Sequence, residues 1–177
     1  MLQHGRSKSW ENTLTEDQYP QRKSPRLQDY DYSQEGAYFI TICVQNRLNL
    51  FGQIVGDQMQ HNYAGKMIIY WWHKLPEKYD GITLDAFVIM PNHLHGIILQ
   101  FERTQSINAV IRWFKTMTTN AYINGVKSAG WRPFNKQLWQ RSYHDHIIRD
   151  EAGLQKLREY TVYNPALWAE DRFYTQD

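Results

Sequence analysis

A chain of 177 residues is the size of one ordinary domain with or without a tail, and 42% hydrophobic residues suffice for a sizeable core. A net charge of +2 excludes bulk electrostatics as a reason to bind nucleic acid, so any phosphate contact must come from a local patch. No apolar signal region opens the chain and no run is long enough to span a bilayer, which predicts a cytoplasmic protein with no membrane partner, while the one cysteine, Cys43, reads as a buried thiol.

Residues 1–29 are rich in Gln, Ser, Thr and charge and read as a flexible arm, with the folded domain at 30–177. Ala37 to Val44 is β-branched and aromatic, a buried strand. Phe51 to Gln60 reads as a short strand or hairpin turning at Gly56-Asp57. Asn62 to Tyr79 has helical spacing of Met67, Ile68, Trp71, Trp72 and Leu75, with Pro76 as its expected end. Ile82 to Met90 is a second strong strand, broken by Pro91-Asn92 and followed by an extended His93 to Gln100. Ser106 to about Val126 is the longest helix, with Ile107, Val110, Ile111, Phe114, Met117 and Ala121 on one side. Gln137 to Ile148 reads as a short strand followed by loop. Asp150 can cap a last helix that runs towards Asn164 and stops or kinks at Pro165. The order predicts an α+β fold, an antiparallel sheet covered by helices on a ferredoxin-like plan.

Two constellations carry chemistry. His93 and His95 are two apart on a strand, so both imidazoles project to one face and could share a cation; isolated pairs of this spacing also occur with no ligand. Tyr160 and Asn164 are four apart on a helix and lie one turn from each other on one face. An interfacial aromatic is the plain reading of Tyr160, and Tyr163 is its rival. His144 and His146 form a second such pair, which leaves open a four-histidine zinc site or a structural role. Asn108, Arg112, Lys115 and Thr119 make a polar stripe on the long helix, either a solvated face or a phosphate track. Arg47, Arg141 and Arg149 are further basic candidates, and Trp113, Trp139 and Tyr143 could stack unpaired bases.

The Met90-Pro-Asn-His-Leu-His95 strand, the Tyr160-Thr-Val-Tyr-Asn-Pro165 helix, Tyr30 to Gln34, Gly36 to Phe39 and Ser142 to His146 together resemble the REP-associated tyrosine transposases, a branch of the HUH single-tyrosine transposases. The resemblance covers roughly Ser24 to Trp168. It implies an HUH endonuclease fold, Tyr160 as nucleophile, and His93, His95 and Asn164 as ligands of Mg²⁺ or Mn²⁺, cations that mixed nitrogen and oxygen donors suit. It also implies nicking and strand transfer of single-stranded or hairpin DNA through a 5′-phosphotyrosine, by a monomer, with a homodimer as the alternative. Lys115 matches a basic position of the family, and His146 a position that the family places near the active site. A silent DNA-binding module and a small-phosphoester hydrolase are the rival functions.

Overall fold

The computed structural model describes residues 30–103 and 105–176, so the expected arm at 1–29 lies outside the described residues. Four strands form one antiparallel sheet in the order β4-β5-β1-β6: β1 (Gly36–Cys43), β4 (Ile82–Met90), β5 (His93–Gln100) and β6 (His144–Ile148). A hairpin, β2 (Gly52–Val55) and β3 (Gln58–His61), stands apart from it. Gly56, first of the hairpin's two turn residues, has φ 61°, a value that favours glycine. Helices α1 (Tyr63–His73), α2 (Leu75–Lys78), α3 (Ile107–Ala129) and α4 (Glu151–Tyr163) complete a ferredoxin-like α+β plan.

The continuous apolar run of β1 demands two covered faces, and it has them. Tyr38, Ile40 and Ile42 join the main core with Ile68 and Trp72 of α1 and Ile107, Val110, Ile111 and Phe114 of α3. Phe39 on the opposite face joins a smaller cluster with Ile97, Ile148 and the α4 residues Leu154, Leu157 and Tyr160. The same alternation runs along β5: Leu94 and Ile98 belong to the main core, while a Cβ on Gly96 would stand 2.3 Å from Trp72. Trp72 in turn stacks on Phe87 at 4.9 Å and meets Phe114 edge-on. Packing on this scale pins β5, and with it the face that carries the two histidines.

Three local expectations change. Pro76 opens α2 instead of ending the first helix, which stops at Lys74; a proline at the start of a helix forfeits an N–H that would have no partner there. The strand in 137–148 comes last, at His144–Ile148, and the segment before it is irregular apart from one bridge between Val44 and Trp139. On α3 the buried stripe passes through Thr118, Tyr122 and Gly125 rather than Met117 and Ala121. Thr118 tolerates burial because its hydroxyl donates to Phe114 O and accepts from Trp139 Nε1.

Candidate metal and nucleophile site

Strand β5 sends His93 and His95 to the α4 face, as their spacing requires. Their Nε2 atoms lie 3.1 Å apart. Metal–ligand bonds of about 2.1 Å set neighbouring octahedral donors about 3.0 Å apart, so this spacing fits two ligands of one cation. Each ring is held from behind through Nδ1: His93 by Asn92 Oδ1 at 2.9 Å, His95 by Thr41 Oγ1 at 2.8 Å. Thr41 lies opposite His95 in the β1–β5 register. Both histidines are buried, at 0% and 2% exposure. Burial holds His93 well below the usual imidazole range, reinforced by His95, Arg172 and Arg47. Burial likewise takes His95 down to about 3, with Arg172 and His144 adding to it. Both rings are therefore neutral at pH 7, the state that a metal requires.

Helix α4 delivers the phenol. Asp150 caps it by accepting from Gly153 N at 2.7 Å, and Leu154 and Leu157 seat it against the small cluster. Tyr160 then stands with its hydroxyl 3.4 Å from His95 Nε2. Phe39 touches both rings, stacked on His95 at 5.3 Å and edge-on to Tyr160 at 6.0 Å. Tyr163 is 60% exposed, so of the two tyrosines the geometry brings Tyr160 to the histidines.

Asn164 is buried, but it meets the pair through another residue. Its Nδ2 donates to Asp171 Oδ2 at 3.2 Å, and that oxygen lies 3.9 Å from His93 Nε2. His93, His95 and Asp171 offer donor atoms within 4.8 Å of one another, a set able to hold a metal ion. Burial raises the Asp171 pKa, opposed by hydrogen bonds from Phe173 N and Asn164. Sequence reasoning missed Asp171. The surrounding signal was the aromatic pair Trp168 and Phe173 in a polar segment, and both prove buried. Phe173 lies 4.7 Å from the His93 ring and covers that side of the site.

The other candidates divide. Arg112, Lys115 and Arg141 line one groove of about 500 Å³ between α3 and residues 136–143, together with Lys136, and among the described residues no carboxylate lines it. Lys115 also ties the two walls, donating to Gln140 O at 2.6 Å and Arg141 O at 3.1 Å. Arg47 sits beside the histidines instead, its guanidinium 5.5 Å above the Phe173 ring. His144 and His146 pair with Thr41 and Phe39 of β1, so they lie on the α4 face of the edge strand and are exposed, as is Arg149. Among the described residues, the metal-competent set takes in neither His144 nor His146, which removes the four-histidine alternative. Trp139 and Tyr143 are core residues and not stacking surfaces: both are buried, and Tyr143 Oη bonds Asn108 Oδ1 at 2.5 Å. Trp113 packs edge-on against Trp71 and Tyr79. Cys43 is buried, which pushes its thiol up to about 12. No helix among the described residues is long and apolar enough to cross a membrane.

Known proteins are similar to this chain in sequence and in fold. An uncharacterized Haemophilus influenzae protein is 40% identical over 86% of this chain and 93% of its own length. A second protein of that organism, which carries the name of a REP-associated tyrosine transposase, is 27% identical over 76% of this chain and 73% of its own. A solved REP-associated tyrosine transposase bound to a REP hairpin shares the fold, with a TM-score of 0.58 and 19% identity over 85% of this chain and 77% of that one. The sequence model of the family described as IS200-like transposases matches residues 33–164. With the family's sequence signature spanning both the histidine strand and the tyrosine helix, the chain belongs to the IS200-like transposases.

Proposed function

We propose that the protein is a metal-dependent single-strand DNA endonuclease and strand transferase acting at hairpin-forming palindromic repeats, with Tyr160 as its nucleophile. One observation carries this reading: Tyr160 Oη and His93 Nε2 converge on His95 Nε2, at 3.4 and 3.1 Å. A phenol beside one neutral imidazole, which itself meets a second, is the pairing that phosphotyrosine chemistry needs. The name of the 27% identical relative and the REP hairpin held by the solved protein of the same fold support the hairpin substrate.

The phenolic oxygen attacks phosphorus, and its new bond forms as the bond from phosphorus to the 3′ oxygen breaks. The products are a 5′-phosphotyrosine and a free 3′-hydroxyl; attack by a 3′-hydroxyl on the adduct rejoins strands, so the bond energy is kept and no nucleotide is consumed. His93, His95 and an oxygen from Asp171 or Asn164 would hold Mg²⁺ or Mn²⁺, which when bound stabilises charge on the phosphate and favours the ionised phenol. Phe39 fixes the angle between the Tyr160 and His95 rings, and Phe173 keeps water from the far side of His93. Arg112, Lys136 and Arg141 in the basic groove are the phosphate track, with Lys115 holding its walls together. Arg47, His146 and Arg149 contact the strand nearer the tyrosine. The histidines and tyrosine of one chain already meet, so the working unit is a monomer, and elution at twice 21.2 kDa would overturn that part.

The test incubates the protein and Mn²⁺ with labelled single-stranded hairpin oligonucleotides from repeats flanking its gene. A metal-dependent covalent band that disappears in Tyr160→Phe and in His93→Ala is expected. Nicking without an adduct would move the assignment to a metallohydrolase, and binding alone to a silent DNA-binding module.

A further inference from the structure

Asn92 precedes the histidine pair and is fully buried. Its Nδ2 lies 3.2 Å from Arg47 O, 2.9 Å from Phe173 O and 3.2 Å from Thr175 Oγ1. Two of these three partners are carbonyl oxygens, which only accept, so the amide must turn its NH₂ towards them. That leaves Asn92 Oδ1 facing His93 Nδ1 at 2.9 Å, and Oδ1 also only accepts. The hydrogen of that bond therefore sits on His93 Nδ1. A neutral imidazole protonated there has its lone pair on Nε2, the atom that faces His95 and Asp171.

We infer that Asn92 is a positioning residue for the metal centre, holding His93 as the tautomer whose bare Nε2 faces the donor set; the inference rests on the metal reading proposed above. The backbone around it is arranged to this end. Asn46 and Arg47 both have left-handed φ, 59° and 54°, a conformation that costs residues other than glycine about 1 kcal/mol or more. That turn aims the Arg47 carbonyl at the Asn92 amide. The carbonyl of Phe173, whose ring covers His93, takes the second hydrogen, so one side chain joins the strained turn, the C-terminal segment and the ligand. No other side chain of this size serves both ends: aspartate could accept from His93 but donates nothing to the carbonyls, and leucine does neither.

The same logic assigns the partner ring. In the metal-free protein His93 Nε2 is an acceptor, so His95 Nε2 carries the hydrogen across their 3.1 Å contact and its Nδ1 accepts from Thr41 Oγ1. Two opposite tautomers stand face to face. A cation bound between the rings forces His95 to switch and leaves His93 as it was.

Histidine ¹⁵N NMR on the unmutated, metal-free protein reads both tautomers directly, and Zn²⁺ serves as a diamagnetic probe of the switch. Expected is an Nδ1–H His93 in both states and a His95 that changes from Nε2–H to Nδ1–H. An Nε2–H His93, or a rapidly exchanging mixture, would overturn the inference. Mn²⁺ affinity by calorimetry supplies the second arm: Asn92→Leu should weaken it about 10- to 100-fold, the usual effect of losing a ligand's supporting partner. Asn92→Asp, which keeps the acceptor and loses the donors, should stay within a few-fold. A purely structural role predicts equal losses in both variants, because both lose the bonds to Arg47 and Phe173. Neither arm contains DNA, so failure of the tyrosine chemistry would leave this result untouched, and absence of Mn²⁺ binding by the unmutated protein would sink the metal reading instead.

Discussion

At the scale of residues, Asp171 and Asn164 offer two oxygens for the third position of the proposed metal site. Asn164 uses Nδ2 on Asp171, and its Oδ1 is buried with no hydrogen-bond partner among the described residues, a cost of about 1–3 kcal/mol for a buried acceptor. Asp171 carries formal charge and its oxygen is the one near His93. Calorimetry with Mn²⁺ should therefore show Asp171→Asn losing more affinity than Asn164→Ala, by roughly ten-fold, since a charged ligand outweighs a neutral one in a buried site. The opposite ranking would return the position to Asn164, as the family resemblance implies. The shared face of His93 and His95 was legible from the strand period of two, whereas the helix period left Tyr160 and Tyr163 as rivals and only the family resemblance favoured Tyr160. Asp171 was not. It lies in an irregular segment beyond Pro165, held by contacts to Arg47, Asn49 and Asn92 more than 75 positions away, which no local pattern encodes.

At the scale of elements, the orientation of α4 decides where the phenol points. Thr161 is the helix's one fully buried residue, and its apolar contact with the sheet is the small cluster around Phe39. The further hold is a two-pronged pair: Arg158 Nε to Asp85 Oδ1 at 2.9 Å and Nη2 to Oδ2 at 2.7 Å. It lowers the Asp85 pKa and raises that of Arg158, as expected for partners that favour each other's charge. Asp85 is available because β4 bulges between Leu84 and Phe87, and the extra residue lets both Asp85 and Ala86 meet α4. Arg158→Lys keeps the charge but loses the fork, so adduct formation at saturating hairpin DNA should slow about ten-fold while Mn²⁺ affinity holds. Equal rates for Arg158→Lys and the unmutated protein would mean that the apolar cluster alone orients the helix. The bulge was not legible, because β4 reads as an uninterrupted strand from sequence. The strand and loop of 137–148 were read in reverse order for a related reason: Trp139 and Tyr143 look strand-like, but the core draws them in individually through Thr118 and Asn108.

At the scale of the whole molecule, five histidines shape the response to acid. Burial lowers the pKa values of His93 and His95 most, and partial covering of the ring lowers those of His61 and of the surface histidines His144 and His146. An unfolded histidine takes its proton near pH 6.5 and these folded ones resist it, so below that pH the unfolded chain binds more protons and stability falls with pH. Asp171 opposes this, since a raised carboxyl pKa favours the folded state in acid, but it is one group against five. His95 carries the clearest part, because at pH 5 it is neutral in the fold and protonated in the unfolded chain. It then loses about 2 kcal/mol relative to pH 7, at about 1.4 kcal/mol per pH unit below 6.5, and His93 adds in the same direction. In chelator, the Tm should drop by roughly 5 °C or more between pH 7 and pH 5. Saturating Mn²⁺ should raise the Tm by a similar amount at pH 7 and at pH 5, because the folded rings carry no competing proton over that range. His95→Gln removes one titrating group and should flatten the chelator profile. A flat profile in the unmutated protein would mean that the paired imidazoles take up protons in the fold as readily as in water, and that the buried donor set is open to solvent.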